Sequence, residues 1–408
     1  RGPVRNGEDV ARAGGCVMVV PTPLAALSES TPVLDIDALI DDPGVKVIVC
    51  CGSGGVGKTT TAASLGLRAA ERGRKVCVMT IDPARRLAQS MGLSQLDNTP
   101  RSVAGVDEAN GGSLDAMMLD MKRTFDEIVE SHSDAGRAQA ILENPFYQAL
   151  STSFAGTQEY MAMEKLGQLR SAAETTGEWD LIIVDTPPSR SALDFLDAPK
   201  RLGSFLDGRL MKLLSAPARG AGKFGAKVVG ASLSVVTGTL TKVIGAQVLK
   251  DLQTFVSSFD ALFGGFRQRA EATYAQLQAP DTRFLVVAAP ERDALREASY
   301  FVERLAGEDM PLAGLILNRV QEVPLPSLSA ETALAGADRL DENGEHPLTA
   351  GMLRLHADRV QNGQRQRRLA ERFSTAHPRV PAAAAPALAG DVHDLDGLRE
   401  VAAALANQ

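Results

Sequence analysis

The chain has 408 residues, of which 44% are hydrophobic, so it can bury a large core as one α/β domain with insertions or as two domains, and it is neither disordered nor fibrous. Four cysteines (Cys16, Cys50, Cys51 and Cys77) without a C-x-x-C spacing exclude a disulfide scaffold, and five histidines scattered in sequence give no support for a metal cage. A net charge of −7 with sparse aromatic residues argues against a nucleic-acid binder.

Residues 1–42 mix Gly, Pro, Ser and charge without a sustained period and read as a partly disordered extension. No signal peptide is legible there, and no apolar stretch reaches the roughly 18 to 20 residues that span a bilayer. A cytoplasmic setting is expected.

The first apolar run, Val45 to Cys51, leads into Gly52, Ser53, Gly54, Gly55, Val56, Gly57, Lys58, Thr59 and Thr60, and a helix-like stretch follows to Glu71. Strand, glycine loop and helix start occur in the order that G-x-x-x-x-G-K-[ST] requires. Glycines leave room for successive N–H groups to curl around phosphate oxygens at a helix N-terminus. Lys58 would reach the β- and γ-phosphates, and the Thr59 hydroxyl would ligate Mg²⁺. The implied cofactors are ATP and Mg²⁺.

A second run, Lys75 to Ile81, ends at Asp82, followed by Pro83, which sets a carboxylate at a strand end where it can orient an attacking water. The same pattern is also that of an ordinary Asp-Pro turn. Leu114 to Glu178 lacks strand patterning and reads as helical. The run Leu181 to Val184 then closes on Asp185, in the manner of an aspartate that holds Mg²⁺ through a water, and Thr186, Pro187 and Pro188 make a stiff turn beside it.

Ser191 to Leu277 also reads as helical. Within it, residues 200–250 carry nine bases against one acid, a net +8, interleaved with apolar side chains. That segment suits an apolar client or an anionic membrane surface, or is an ordinary solvated helical face. Leu252, Phe255, Val256, Phe259, Leu262, Phe263 and Phe266 recur at helical spacing and form an apolar face. Two more strand-like runs follow, Phe284 to Ala289 and Leu312 to Asn318; Val320 to Thr349, rich in proline and acid, reads as a long surface loop, and Val380 to Ala389 is of low complexity.

Strands alternating with helices predict a doubly wound, mainly parallel sheet with ligands at the carboxyl ends of its strands. The division expected is an extension at 1–42 and a P-loop ATPase domain at 43–408, with helical insertions at about 114–178 and 191–277 forming a subdomain.

The segments GSGGVGKTT, TIDPARRL and DTPPSRSALDFL, in that order, resemble the deviant P-loop ATPases of the arsenite-pump and tail-anchored-protein-targeting type, the ArsA-like or anion-transporting ATPases. The resemblance runs from about Val45 to the C-terminus. It implies an ATP-hydrolysing switch that works as a dimer and opens and closes a helical surface. It further implies Asp82 as the water-activating aspartate, Asp185 as the magnesium-site aspartate, Asn318 as the adenine-reading asparagine, and Pro386, Ala387 and the residues to Val392 as the adenine-packing loop.

Three departures stand out. Ser53 occupies the position of the family's signature lysine, which reaches across the dimer to the partner's phosphates, so an ArsA-like paralogue bearing that lysine, or Arg85 or Arg86, would have to supply the charge, or hydrolysis is slow. The alternative is a catalytically idle nucleotide-binding subunit of a heteromer. The helical intervals hold no cysteine, which argues against arsenite, and no C-x-x-C exists for a dimer-stapling zinc. A positioning ATPase of the ParA or MinD type fits less well, because of the long helical intervals and the missing lysine.

Overall fold

All five apolar runs form strands, and three further strands complete the sheet. The computed structural model describes residues 31–81, 86–93, 96–145, 147–148, 151, 157–187, 268–269, 271–344 and 346–407. Its strands are β1 (Val47–Cys51), β2 (Lys75–Thr80), β3 (Arg101–Ser102), β4 (Ser113–Met118), β5 (Leu181–Asp185), β6 (Thr282–Ala288), β7 (Leu312–Val320) and β8 (Ala382–Pro386). Their spatial order is β3-β4-β2-β5-β1-β6-β7-β8. Every pairing is parallel except β3 with β4.

Parallel strands buried on both faces need continuous apolar sequence, and β1 shows why. Val47, Val49 and Cys51 face one half of the core, with Ile182 and Val184 of β5 beside them. Ile48 and Cys50 face the other, with Leu181 and Ile183. On that second face lie α1 (Ile36–Asp41), α2 (Lys58–Glu71) and α10 (Leu395–Ala406). The first face is covered by α4 (Met121–His132), α5 (Ala135–Leu142), α6 (Thr157–Thr176), α7 (Arg292–Gly307) and part of α9 (Pro347–Ala376). The short α3 (Arg86–Ser90) packs against α2.

Residues 31–42 join this fold. Asp35 caps α1 by accepting from the Ala38 N–H at 2.9 Å, and Ile36 and Ile40 are buried under the sheet. Arg68 of α2 pairs with Asp37, and Arg72 with Asp41.

Two sequence expectations need correction. Leu114 to Met118, read as the start of a helical interval, belongs to β4, which pairs with β2 along its whole length. Its SLDAMM sequence has no β-branched residue, but Leu114 and Ala116 face one core half and Met117 the other, and Asp115 accepts from the Trp179 indole at 2.8 Å. The proline-rich stretch 320–349 holds a helix, α8 (Ala330–Glu342), capped by Ser329, which accepts from the Thr332 N–H at 3.1 Å. Pro324 and Pro326 lie before that cap, and Pro347 is the first residue of α9, a position that needs no N–H donor. The prolines frame helices instead of breaking one. Almost all of the interval 191–277, including the basic segment 200–250 and the apolar face 252–266, lies outside the described residues; of it, 271–277 is helical. No helix among the described residues is long and apolar enough to cross a membrane.

Candidate functional site

The carboxyl ends of β1, β2, β5, β7 and β8 lie along one edge of the sheet, and β1 stands where the chain has wound outward to either side. A ligand crevice is expected at such a place. The glycine loop fills it.

Gly52 leaves β1 with φ 153°, and a Cβ there would lie 2.1 Å from the Val287 carbonyl oxygen of β6. Only glycine lets the loop start this close to the neighbouring strand. Gly57 begins α2 with φ 94°, and a Cβ on it would lie 2.1 Å from Asn318 Nδ2. That amide is in place because Asn318 Nδ2 donates to the Val56 carbonyl at 2.8 Å, stitching the loop to the end of β7. Between these fixed ends Gly54 and Gly55 are exposed. Lys58 is 5% exposed, and its Nζ donates to the Ser53 carbonyl at 2.8 Å, which tucks the ammonium inside the loop.

Asp185 is fully buried at the end of β5. Its Oδ2 accepts from the Thr59 hydroxyl at 2.7 Å and from the Thr80 hydroxyl at 2.8 Å. Register produces this meeting, since Thr80 and Asp185 are paired residues of β2 and β5. Thr186 donates its hydroxyl to the Cys50 carbonyl at 2.9 Å and so pins the end of β5 to β1. A carboxylate and hydroxyls, all hard oxygen donors beside a glycine loop, suit Mg²⁺ held jointly with phosphates. Among the described residues no group of three or more His, Cys, Asp or Glu converges as a separate metal cage.

Burial, reinforced by the Asp185 charge, pushes the Cys50 thiol well above its usual range, and burial raises Cys51 to about 12 and Cys77 upward as well. These thiols stay protonated at neutral pH and are inert. The native protein should therefore resist iodoacetamide at Cys50, Cys51 and Cys77 at pH 8, with modification appearing on denaturation. Peptide mass analysis reads this directly; modification of Cys50 in the folded chain would mean that β1 opens beneath the loop.

Beside the loop lies a cavity of about 530 Å³. It is lined by Gly57 and Thr60 at the start of α2, by Asn318 and Arg319 of β7, and by residues 386–392 with Val401. The Ala387 N–H donates to the Val320 carbonyl at 2.9 Å, which holds the chain after β8 beside the end of β7. The structure thus brings Asn318 to one cavity with Pro386 and Ala387, which lie tens of residues further along the chain. Asp82 and Arg85 lie outside the described residues, and Arg86 opens α3; Ile81, the residue before Asp82, donates its N–H to the Asp185 carbonyl at 3.0 Å. Sequence reasoning passed over Thr80 and Arg319. Thr80 could have been noticed as the hydroxyl closing the second apolar run, but its partner depends on strand order.

The family model described as anion-transporting ATPase matches residues 45–326. The chain is 32% identical over 165 residues to the ATPase GET3 of Malassezia globosa, covering 40% of this chain but only 45% of that protein. It is 26% identical over 295 residues to the ATPase GET3 of Candida glabrata, covering 70% of this chain and 75% of the relative. Against the ATPase ASNA1 homolog of Entamoeba dispar it is 25% identical over 295 residues, 72% of this chain and 82% of the other.

Proposed function

The chain belongs to the anion-transporting ATPase family, and from that premise we propose that it is a Mg²⁺-dependent ATP-hydrolysing switch whose nucleotide cycle opens and closes a client-binding helical surface. The observation that carries this reading is the meeting of Thr59, Thr80 and Asp185 on one buried carboxylate oxygen, directly beside the loop that encloses Lys58. Loop amides and Lys58 would hold the triphosphate, and Thr59 with Asp185 would hold the metal, Thr59 directly and Asp185 through a water. Mg²⁺ bound there would supply positive charge where the phosphate oxygens gain negative charge during transfer. Asp82 takes the role of orienting the attacking water, and Asn318 with Pro386 and Ala387 receives the adenine.

The reading is tested at Asp82. Asp82→Asn should lower phosphate release by about 10²-fold or more, the scale of a lost proton acceptor, while Mg·ATP binding stays within about twofold of wild type. Normal turnover by this variant would remove Asp82 from the mechanism.

Ser53 favours a second reading. A serine cannot deliver the charge that a lysine inserted from a partner would, and comparable arginine fingers contribute roughly 10³ to 10⁵ in rate. In this version the chain is a nucleotide-binding subunit that gains activity in a heterodimer with a lysine-bearing paralogue. Brisk phosphate release by the purified chain alone would exclude it. For the client, residues 200–250 offer basic and apolar side chains suited to a hydrophobic protein segment or an anionic membrane.

A further inference from the structure

We propose that Arg319 is the residue on which the nucleobase stacks, an inference that rests on the nucleotide-site reading above and extends it to base recognition. Arg319 is a non-glycine residue in the left-handed region, with φ 61°. Such conformations persist where surrounding structure over-determines them, and they cluster at ligand sites. Here two features enforce it. The Arg319 N–H donates to the side-chain oxygen of its neighbour Asn318 at 2.9 Å, and the pairing of β7 with β8 shifts register between Leu317 and Val320. A bulge at that point re-aims the two residues it carries. Both of them line the cavity.

The chemistry of the lining then singles out Arg319. Among the described residues no aromatic ring lines this cavity, although a purine face packs favourably on a flat, polarisable surface. Leu388 and Val392 are aliphatic members of the same lining, and among the described residues Arg319 is its only cation. A guanidinium is planar, weakly hydrated and always charged, and it stacks on aromatic faces in a way an ammonium does not. Arg319 is exposed and lines the cavity, which leaves its guanidinium accessible to a base bound there. Asn318, by contrast, spends one amide hydrogen on Val56 and its oxygen on the Arg319 N–H, so it reads the edge of a base with what remains.

Calorimetry on the full chain with Mg·ATP and with Mg²⁺ and inorganic triphosphate tests this. Arg319→Ala should weaken ATP binding about 3- to 30-fold, the range of a cation–π contact, and leave triphosphate binding unchanged. Arg319→Lys, which keeps the charge and loses the plane, should recover little. Arg319→Gly, at ease with positive φ, should weaken ATP binding as Ala does while its thermal midpoint stays level or rises, which separates loss of stacking from loss of structure. Full ATP affinity in Arg319→Lys or Arg319→Ala, or an equal loss for triphosphate, overturns base stacking and leaves the phosphate loop standing. If the wild-type chain binds neither ligand, the nucleotide-site reading itself fails, and this inference with it.

Discussion

Lys58→Met should lower ATP hydrolysis by about 10²- to 10³-fold, the cost of removing one preorganised charge from a phosphoryl-transfer site, and should do so without unfolding the protein. The side chain is 5% exposed, and its ammonium sits inside the glycine loop on the Ser53 carbonyl. Methionine keeps the length and apolar stem of lysine, so the hole that alanine would leave beside β1 does not open. Removing a buried charge also relieves its desolvation, which offsets the bond lost at Ser53. The thermal midpoint should therefore hold while phosphate release collapses. Lys58→Ala makes the useful contrast, because it should lose activity and stability together. Steady-state phosphate release with a thermal melt on each variant checks both statements, and hydrolysis at the wild-type rate by Lys58→Met would leave the loop without a catalytic role.

How much of this was legible in the chain depends on which residues each feature needs. β1 and β5 could be read because strands buried on both faces must be apolar without interruption, and VIVCC and LIIVD are. The loop could be read because its glycines are demanded by backbone approach, to Val287 at one end and Asn318 at the other. β8 escaped notice for the opposite reason. Four alanines and a proline have little strand preference of their own, and they pair because β7 lies on one side and Val33 bridges to Ala382 on the other. Gly314 of β7 allows that closeness, since a Cβ there would lie 2.5 Å from the Pro381 carbonyl oxygen. Thr80 and Arg319 are further removed still from local pattern. One depends on the register of two strands distant in sequence, and the other on a bulge formed only in the finished sheet.

Arg74→Ala should produce the largest loss of stability, about 3 to 5 kcal/mol, at the end of the sheet opposite the site. The sequence places this arginine by a helix stop. Gly73, at φ 105°, ends α2 with its N–H donating to the Ala70 carbonyl at 2.9 Å and the Arg74 N–H to Ala69 at 3.0 Å, the paired bonds of a Schellman turn. Arg74 then runs under the amino ends of the strands and uses all five of its N–H donors. They go to the carbonyls of Ile40, Asp42, Val45 and Asp180, at 2.8 to 3.0 Å, and to the Asp180 carboxylate. One guanidinium thus ties α1, the start of β1 and the start of β5 to the end of α2. The carboxylate partner is itself 41% exposed, so most of the stabilisation comes from the carbonyls, which would lose charged donors in a buried place. Domains of some 150 to 250 residues shift by about 2 to 4 °C per kcal/mol, and this larger one should shift by less, so the midpoint should fall by several degrees but by less than about 10 °C. Lysine has three donors on a compact head and cannot span four carbonyls, so Arg74→Lys should recover less than half of the loss. Five-residue strands put about 17 Å between this end and the nucleotide loop, and activity per folded molecule at low temperature should be close to wild type. A melt of Arg74→Ala that matches the native protein would show that the carbonyls find other donors and that the amino end of the sheet is held by packing alone.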